Sequence, residues 1–312
     1  MYAYFTYLDV TIKLTTNKKD IINYCYTSFS GYFDFSNKIS FDSEVIICDK
    51  PIFNSKISYK SKSFHSFELF YDRKLNHIVV TSLNHDYCLE IMRLVRELLI
   101  FHIDKNSLIF LHAACVTKND NGIIILGEKN SGKTTTCIAL LKHGYDLVSN
   151  DKLLVEQIDN EIVCRGLPIS IGIRNNTKVI FKEIENLTFN CEDNRYYIKP
   201  QELVKRFNVN ISNICKAKLI ILPRYTPDKI KIDSKKINFE EKKEIIIKQI
   251  LDTVYEKQKI LDTIDFYRQK EEVSLFNEIP MYEIYVNETL NISLDNEINK
   301  ILKGENECIK SE

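Results

Sequence analysis

An apolar run, Ile123-Ile124-Ile125-Leu126, leads into Gly127-Glu128-Lys129-Asn130-Ser131-Gly132-Lys133-Thr134, and a stretch of helical spacing follows. The eight residues satisfy G-x-x-x-x-G-K-[ST] without a departure. From Thr135 to His143 the residues Cys137, Leu140 and Leu141 share one helical face, and Gly144 is the stop. Strand, glycine loop and helix in that order form a turn whose N–H groups point inward at the positive end of a helix, a cradle for phosphate. In this motif Lys133 reaches the β- and γ-phosphates and the Thr134 hydroxyl reaches Mg²⁺. Gly127, Asn130, Ser131, Gly132, Lys133, Thr134 and Thr135 are therefore the candidate nucleotide-binding residues. The chain has 8 glycines in 312 residues, and Gly122, Gly127, Gly132, Gly144, Gly166 and Gly172 are among them. Glycine is needed where φ is positive or a ligand nears the backbone, which concentrates the chemistry between about residues 110 and 175.

Composition narrows the class further. Hydrophobic content of 44% and charged content of 28% are those of a soluble globular protein. Lys+Arg and Asp+Glu both total 43, so bulk charge points to neither nucleic acid nor a membrane as partner. Nine scattered cysteines without a C-x-x-C pair argue against a zinc site and fit a reducing, cytoplasmic setting. The N-terminus lacks the basic start and long apolar run of a signal peptide, and no apolar segment reaches the length of a membrane span.

Along the chain, residues 1 to about 84 read as short strands: Tyr4 to Leu14, Glu44 to Cys48, Ser66 to Tyr71 and His77 to Ser82. Asp86 to Phe101 reads as a helix, and the domain boundary is placed at 103–107. Strands then follow at Leu108 to Val116, Gly122 to Leu126 and Asp146 to Ser149, with a hairpin turning at Asp159-Asn160. Pro200 to Phe207 reads as a short helix, Lys218 to Leu222 as a buried strand ended by Pro223, and Phe239 to Tyr255 as a long helix. Tyr282 to Val286 reads as a strand and Leu294 to Leu302 as a final helix. The polar stretches 174–199 and 225–238 read as lids or linkers.

Three positions frame the loop. His112 lies 21 residues before Lys133, in the strand preceding the loop strand, and Asn150-Asp151 lies 17 and 18 residues after it, at the end of the next strand. Neighbouring strand ends bring such groups to the γ-phosphate, where phosphoryl transfer needs a metal ligand, a base and a charge stabiliser.

The runs Leu111-His112-Ala113-Ala114, Ile125 to Thr134 and His143 to Asp151 resemble the catalytic domain of the HPr kinase/phosphorylase family and its PEP-carboxykinase-like relatives. Arg165 to Arg174 is similar to a segment of HPr kinase-like proteins that are not HPr kinase itself. The resemblance covers residues 108–175 firmly, 216–303 loosely and 1–100 not at all. It implies an α/β (α+β) fold, a P-loop core of mixed sheet with flanking helices in residues 105–312, beside a β-rich recognition domain in residues 1–104 that ends in a helix. It implies an ATP- and Mg²⁺-dependent kinase whose acceptor is a hydroxyl on a peptide, carrier protein or small molecule, and a homo-oligomer. Carried over by position, it makes Lys133, His112, Asn150, Asp151 and Arg174 the catalytic candidates, with Thr134 and Asp151 on the metal. Asn150 departs from the family, which has Asp there as the base; Asn cannot take a proton. Either Asp151 replaces it, or the hydroxyl needs only positioning, or transfer is lost and the chain is a nucleotide-binding sensor, a scaffold or an NTP hydrolase.

Overall fold

A computed structural model describes residues 1–36, 40–50, 52, 56–57, 68–72, 77–81, 87–103, 108–167, 169–187, 189–192, 195–226, 233–250, 273–286 and 290–304. The described residues up to 103 form one compact unit and those from 108 onward form a second. Of the expected boundary at 103–107, residues 104–107 lie outside the described residues, as do the expected helical residues 251–255.

The first unit contains β1 (Tyr2–Tyr7), β2 (Val10–Thr16), α1 (Lys19–Phe29), β3 (Ser43–Ile47), β4 (Lys56–Ile57), β5 (Glu68–Asp72), β6 (His77–Thr81) and α2 (Tyr87–His102). The strands make one sheet in the order β1-β2-β3-β6-β5-β4, with β2, β3 and β6 parallel. The single strand expected over Tyr4 to Leu14 is a hairpin, because Leu8 takes a left-handed φ of 55° between β1 and β2. Helix α1 was not expected. Its buried Ile21, Ile22, Cys25 and Phe29 have helical spacing, but their β-branched and aromatic character mimics a strand.

The second unit contains β7 (Leu108–Leu111), β8 (Ala114–Lys118), β9 (Asn121–Ile125), α3 (Lys133–Lys142), β10 (Asp146–Ser149), β11 (Leu153–Ile158), β12 (Glu161–Gly166), β13 (Ile171–Arg174), α4 (Asn175–Ile180), a 3₁₀ turn (Lys182–Leu187), β14 (Phe189–Glu192), β15 (Arg195–Ile198), α5 (Pro200–Phe207), β16 (Ile214–Tyr225), β17 (Asp233–Lys236), α6 (Phe239–Gln249), a second 3₁₀ turn (Val273–Phe276), β18 (Met281–Val286) and α7 (Leu290–Leu302). Nine strands form a mixed sheet, β10-β8-β9-β16-β12-β11-β7, with β18 on the far half of β16 and β17 beyond it. The α/β class, the mixed sheet and the flanking helices are as expected. The stretches 174–199 and 225–238 carry helix and strand rather than lids alone.

Strand alternation sorts this sheet into two cores. Ile123, Ile125, Leu219 and Ile221 pack with α3, α5 and α7 on one face. Ile124, Leu126, Ile220 and Leu222 pack with α6 and the second 3₁₀ turn on the other. Both sets are buried, so the central strands are apolar throughout, as a sheet covered on two faces requires.

Two expectations fail for identifiable reasons. Leu108 to Val116 is not one strand: β7 and β8 separate at His112-Ala113, and His112 occupies the break. Pro223 does not end its strand, which continues to Tyr225 and pairs with β18 as far as Val286. The Ile221 carbonyl faces β9 and accepts from Leu126 N. Two residues on, Pro223 points its missing N–H to the same side, past the end of β9, where no ladder bond is lost.

Candidate functional site

Register brings the framing residues together. Strand β8 runs antiparallel to both β9 and β10, with Ala114 opposite Ile125 and Cys115 opposite Ser149. The residues just before β8, just after β9 and just after β10 are thus His112, Gly127 and Asn150-Asp151, all at one end of the sheet. The spacing along the chain follows from this path: hairpin β8/β9, glycine loop, helix α3, then β10 parallel to β9.

The loop has the backbone the motif demands. Gly127, Asn130 and Gly132 have φ of 141°, 77° and 99°. A Cβ on Gly127 would lie 2.4 Å from Ser131 Oγ, so only glycine closes this turn. Glu128, Lys129 and Asn130 are exposed at its rim. Helix α3 starts at Lys133, and Thr136 N donates to Gly132 O at 2.8 Å. Thr134 and Thr135 are half-buried at its first turn, and the Thr135 and Thr177 hydroxyls are hydrogen-bonded at 3.0 Å, tying α4 to the start of α3.

Lys133 is buried and turned back on the loop: Nζ donates to Gly127 O at 2.5 Å and to Glu128 O at 3.2 Å. Burial pushes its pKa down, and the nearby Asp151 carboxylate opposes that shift. A desolvated ammonium held only by carbonyls gains strongly from an anion. Asp151 faces His112, with Oδ1 2.9 Å from Nε2. Desolvation would raise the Asp151 pKa, but His112, Lys152 and Lys133 together hold it below the usual carboxylate range. Asn150 is buried, and its Oδ1 forms no hydrogen bond. Ser131 Oγ is likewise buried and without a partner.

No sequence signal marks Gln249, the last residue of α6. With its amide nitrogen turned to the loop, it donates to Gly127 O at 3.2 Å and to His112 O at 3.3 Å. Its own carbonyl accepts from His112 N at 2.8 Å, and Ile250 bridges to Leu111. One residue thereby ties the glycine loop to the His112 backbone. The remaining candidate, Arg174, is exposed at the end of β13 and forms no ion pair among the described residues. Arg165 is engaged by Glu156 at 2.5 Å on the neighbouring strand.

A glycine loop between strand and helix, a buried lysine and a His–Asp pair stand at the same sheet end, an arrangement able to hold a phosphate group. No family model matches the chain. Curated relatives do. The HPr kinase/phosphorylase of Mycoplasma mycoides subsp. mycoides is 26% identical over 146 residues, 46% of this chain and 44% of that protein. That of Clostridium beijerinckii is 35% identical over 63 residues, 20% of this chain and 21% of its own. That of Lactobacillus delbrueckii subsp. bulgaricus is 28% identical over 86 residues, 28% and 27% of the two chains. The chain matches less than half the length of these relatives. Among solved structures, the HPr(Ser) kinase/phosphatase from Coxiella burnetii matches at a TM-score of 0.32 and 15% identity, over 63% of this chain and 98% of that one. The chain is thus similar to the HPr kinase-like family, as residues 108–175 imply, at low identity.

Proposed function

We propose that the second unit is an ATP- and Mg²⁺-dependent phosphotransferase that passes the γ-phosphoryl group to a hydroxyl. The observation carrying this reading is the His112–Asp151 pair at 2.9 Å, at the sheet end that also holds the glycine loop. Lys133 exchanges the carbonyls of Gly127 and Glu128 for phosphate oxygens. Asp151, kept ionised by its cationic neighbours, and the Thr134 hydroxyl are the ligands for Mg²⁺. When bound, that ion neutralises charge developing on the phosphoryl oxygens. His112 orients Asp151 and donates toward the transferring group.

Asn150 cannot serve as a base. Its unpartnered Oδ1 is an acceptor suited to hold the incoming hydroxyl, and transfer through a loose transition state depends more on positioning than on a strong base. The relatives' name makes a protein hydroxyl the first acceptor to test; a peptide or small-molecule hydroxyl is the second. Arg174 is proposed on the acceptor side, and the first unit as the element recognising the partner. Asn150 also supports another reading, nucleotide binding or hydrolysis without an acceptor.

Incubation with γ-³²P-ATP and Mg²⁺, with and without an acceptor panel, separates these. Labelled acceptor, lost in Asp151→Asn, supports the kinase. Phosphate release alone supports the hydrolase, and binding with neither product supports the sensor. Persistence of labelled acceptor in Asp151→Asn would remove Asp151 from the metal site. Asn150→Asp should raise turnover where a missing base limits it.

A further inference from the structure

Three cysteines far apart in sequence meet inside the second core. Cys115 is on β8, Cys164 on β12 and Cys215 on β16, and all three are buried. Their sulfurs all lie within 4.8 Å of one another, and those of Cys115 and Cys215 are 3.7 Å apart. Cys164 and Cys215 are direct cross-strand partners. Cys115 reaches them past β9, and that strand has Gly122 in the path: a Cβ there would lie 2.5 Å from Cys215 Sγ and 2.8 Å from Lys216 O. The missing side chain makes the room for sulfur.

We propose that Cys115, Cys164 and Cys215 form a buried site for one thiophilic divalent cation of the Zn²⁺ class. Three sulfurs each about 2.3 Å from a common ion stand about 3.8–4.0 Å apart; here Cys115 and Cys215 are already at 3.7 Å, and all three sulfurs lie within 4.8 Å. Soft thiolates select such an ion over Mg²⁺, so this site does not compete for the cation of the glycine loop. Thr117 lies two residues beyond Cys115 on the same face of β8. Its buried hydroxyl has no hydrogen-bond partner, which makes it the neutral oxygen available as a fourth donor.

Binding converts three thiols to thiolates and releases three protons to solvent, leaving a complex of charge −1. A monovalent ion would leave −2 in an apolar core, which is costlier. A bound ion would clamp β8 to β12 and β16 beneath the strand end that carries His112, a structural role. No C-x-x-C spacing announces the site, because each ligand comes from a different strand.

The test uses the full chain, reduced, stripped with a chelator and reloaded anaerobically with Zn²⁺, or with Cd²⁺ as a chromophoric probe. The expected result is one ion per chain retained through desalting, a Cd²⁺–thiolate charge-transfer band in the ultraviolet and a higher melting temperature with metal. Cys164→Ser and Cys115→Ser should each lose the retained ion. Cys137→Ser, which alters a buried thiol in the opposite core, should keep it. Circular dichroism checks that each variant folds, and the wild-type Cd²⁺ spectrum stands independently of them. No retained ion in the wild type, or retention unchanged in Cys164→Ser and Cys115→Ser, overturns the proposal. So does retention of Cu⁺ but not of Zn²⁺ or Cd²⁺, or a Cys115–Cys215 disulfide in peptides mapped without reduction.

Discussion

Gln249→Met isolates the bridge between α6 and the glycine loop. Methionine keeps the length and nearly the volume of glutamine, so no cavity opens. The His112 N to Gln249 O bond is main chain and survives. What disappears are the two amide bonds to Gly127 O and His112 O. Neutral hydrogen bonds contribute about 0.5–1.5 kcal/mol each. Gly127 O keeps its bond from Lys133 and is not orphaned, so the two bonds together contribute about 1–3 kcal/mol. At about 2–4 °C per kcal/mol for a domain of this size, the melting temperature should fall by about 2–12 °C. If half of that energy orders the loop, nucleotide affinity weakens about twofold to twelvefold. Thermal unfolding by circular dichroism and titration calorimetry with a nucleotide read the two effects. An unchanged melting temperature together with unchanged affinity would refute the bridge.

Gly127→Ala places a Cβ 2.4 Å from Ser131 Oγ at a φ of 141° and should cost about 1–3 kcal/mol of stability as well as most nucleotide binding; calorimetry showing intact affinity would contradict the loop assignment. Tyr145→Phe removes the hydroxyl that donates to Asp295 at 2.8 Å while keeping the buried ring, and should lower urea stability by about 1–2 kcal/mol. Glu44→Gln tests acid stability in the first unit. Burial alone would raise the Glu44 pKa, but the Thr15 hydroxyl, Lys13 and His77 hold it below its ordinary 4.5. A depressed carboxylate contributes stability that is full above the unfolded value and disappears as pH falls through the folded one. The wild-type advantage over Glu44→Gln should therefore be full at neutral pH and shrink as pH falls below the ordinary 4.5; a gap that grows on acidification would reverse the sign.

Features fixed by neighbours in the chain were legible. The glycine loop, the α3 stop at Gly144, the Asp159-Asn160 turn and the span of α5 rest on local backbone chemistry, and the structure has Asp159 and Asn160 at φ of 48° and 65°. Features fixed by partners distant in sequence were not. Whether Pro223 ends a strand depends on where β9 stops, and whether Leu108 to Val116 breaks depends on the sheet end that His112 meets. Gln249 sits in a charged helix whose sequence shows no mark of the two carbonyls it serves. The cysteine cluster combines strands separated by about fifty residues each, so no spacing rule reports it.

The registers that assemble the site also explain why its three parts could be read from spacing while its supports could not. Strands β9 and β10 run parallel with β8 between them, so a hairpin and one helical crossover suffice to bring His112, Gly127 and Asp151 to a single edge. Chain length along that path is nearly set by strand and helix rise, and the intervals from His112 to Lys133 and from Lys133 to Asp151 follow. Gln249 and Cys215 arrive from beyond α5, along a path with no such constraint. The local segment supplies the chemistry, and the distant segment supplies what holds it: α6 at the loop, and β16 against β9 beneath it. A fragment that kept the local motif but lacked residues 214–250 would retain every candidate catalytic residue while losing the β9–β16 pairing and both carbonyl bridges, and with them the fixed geometry that phosphoryl transfer requires.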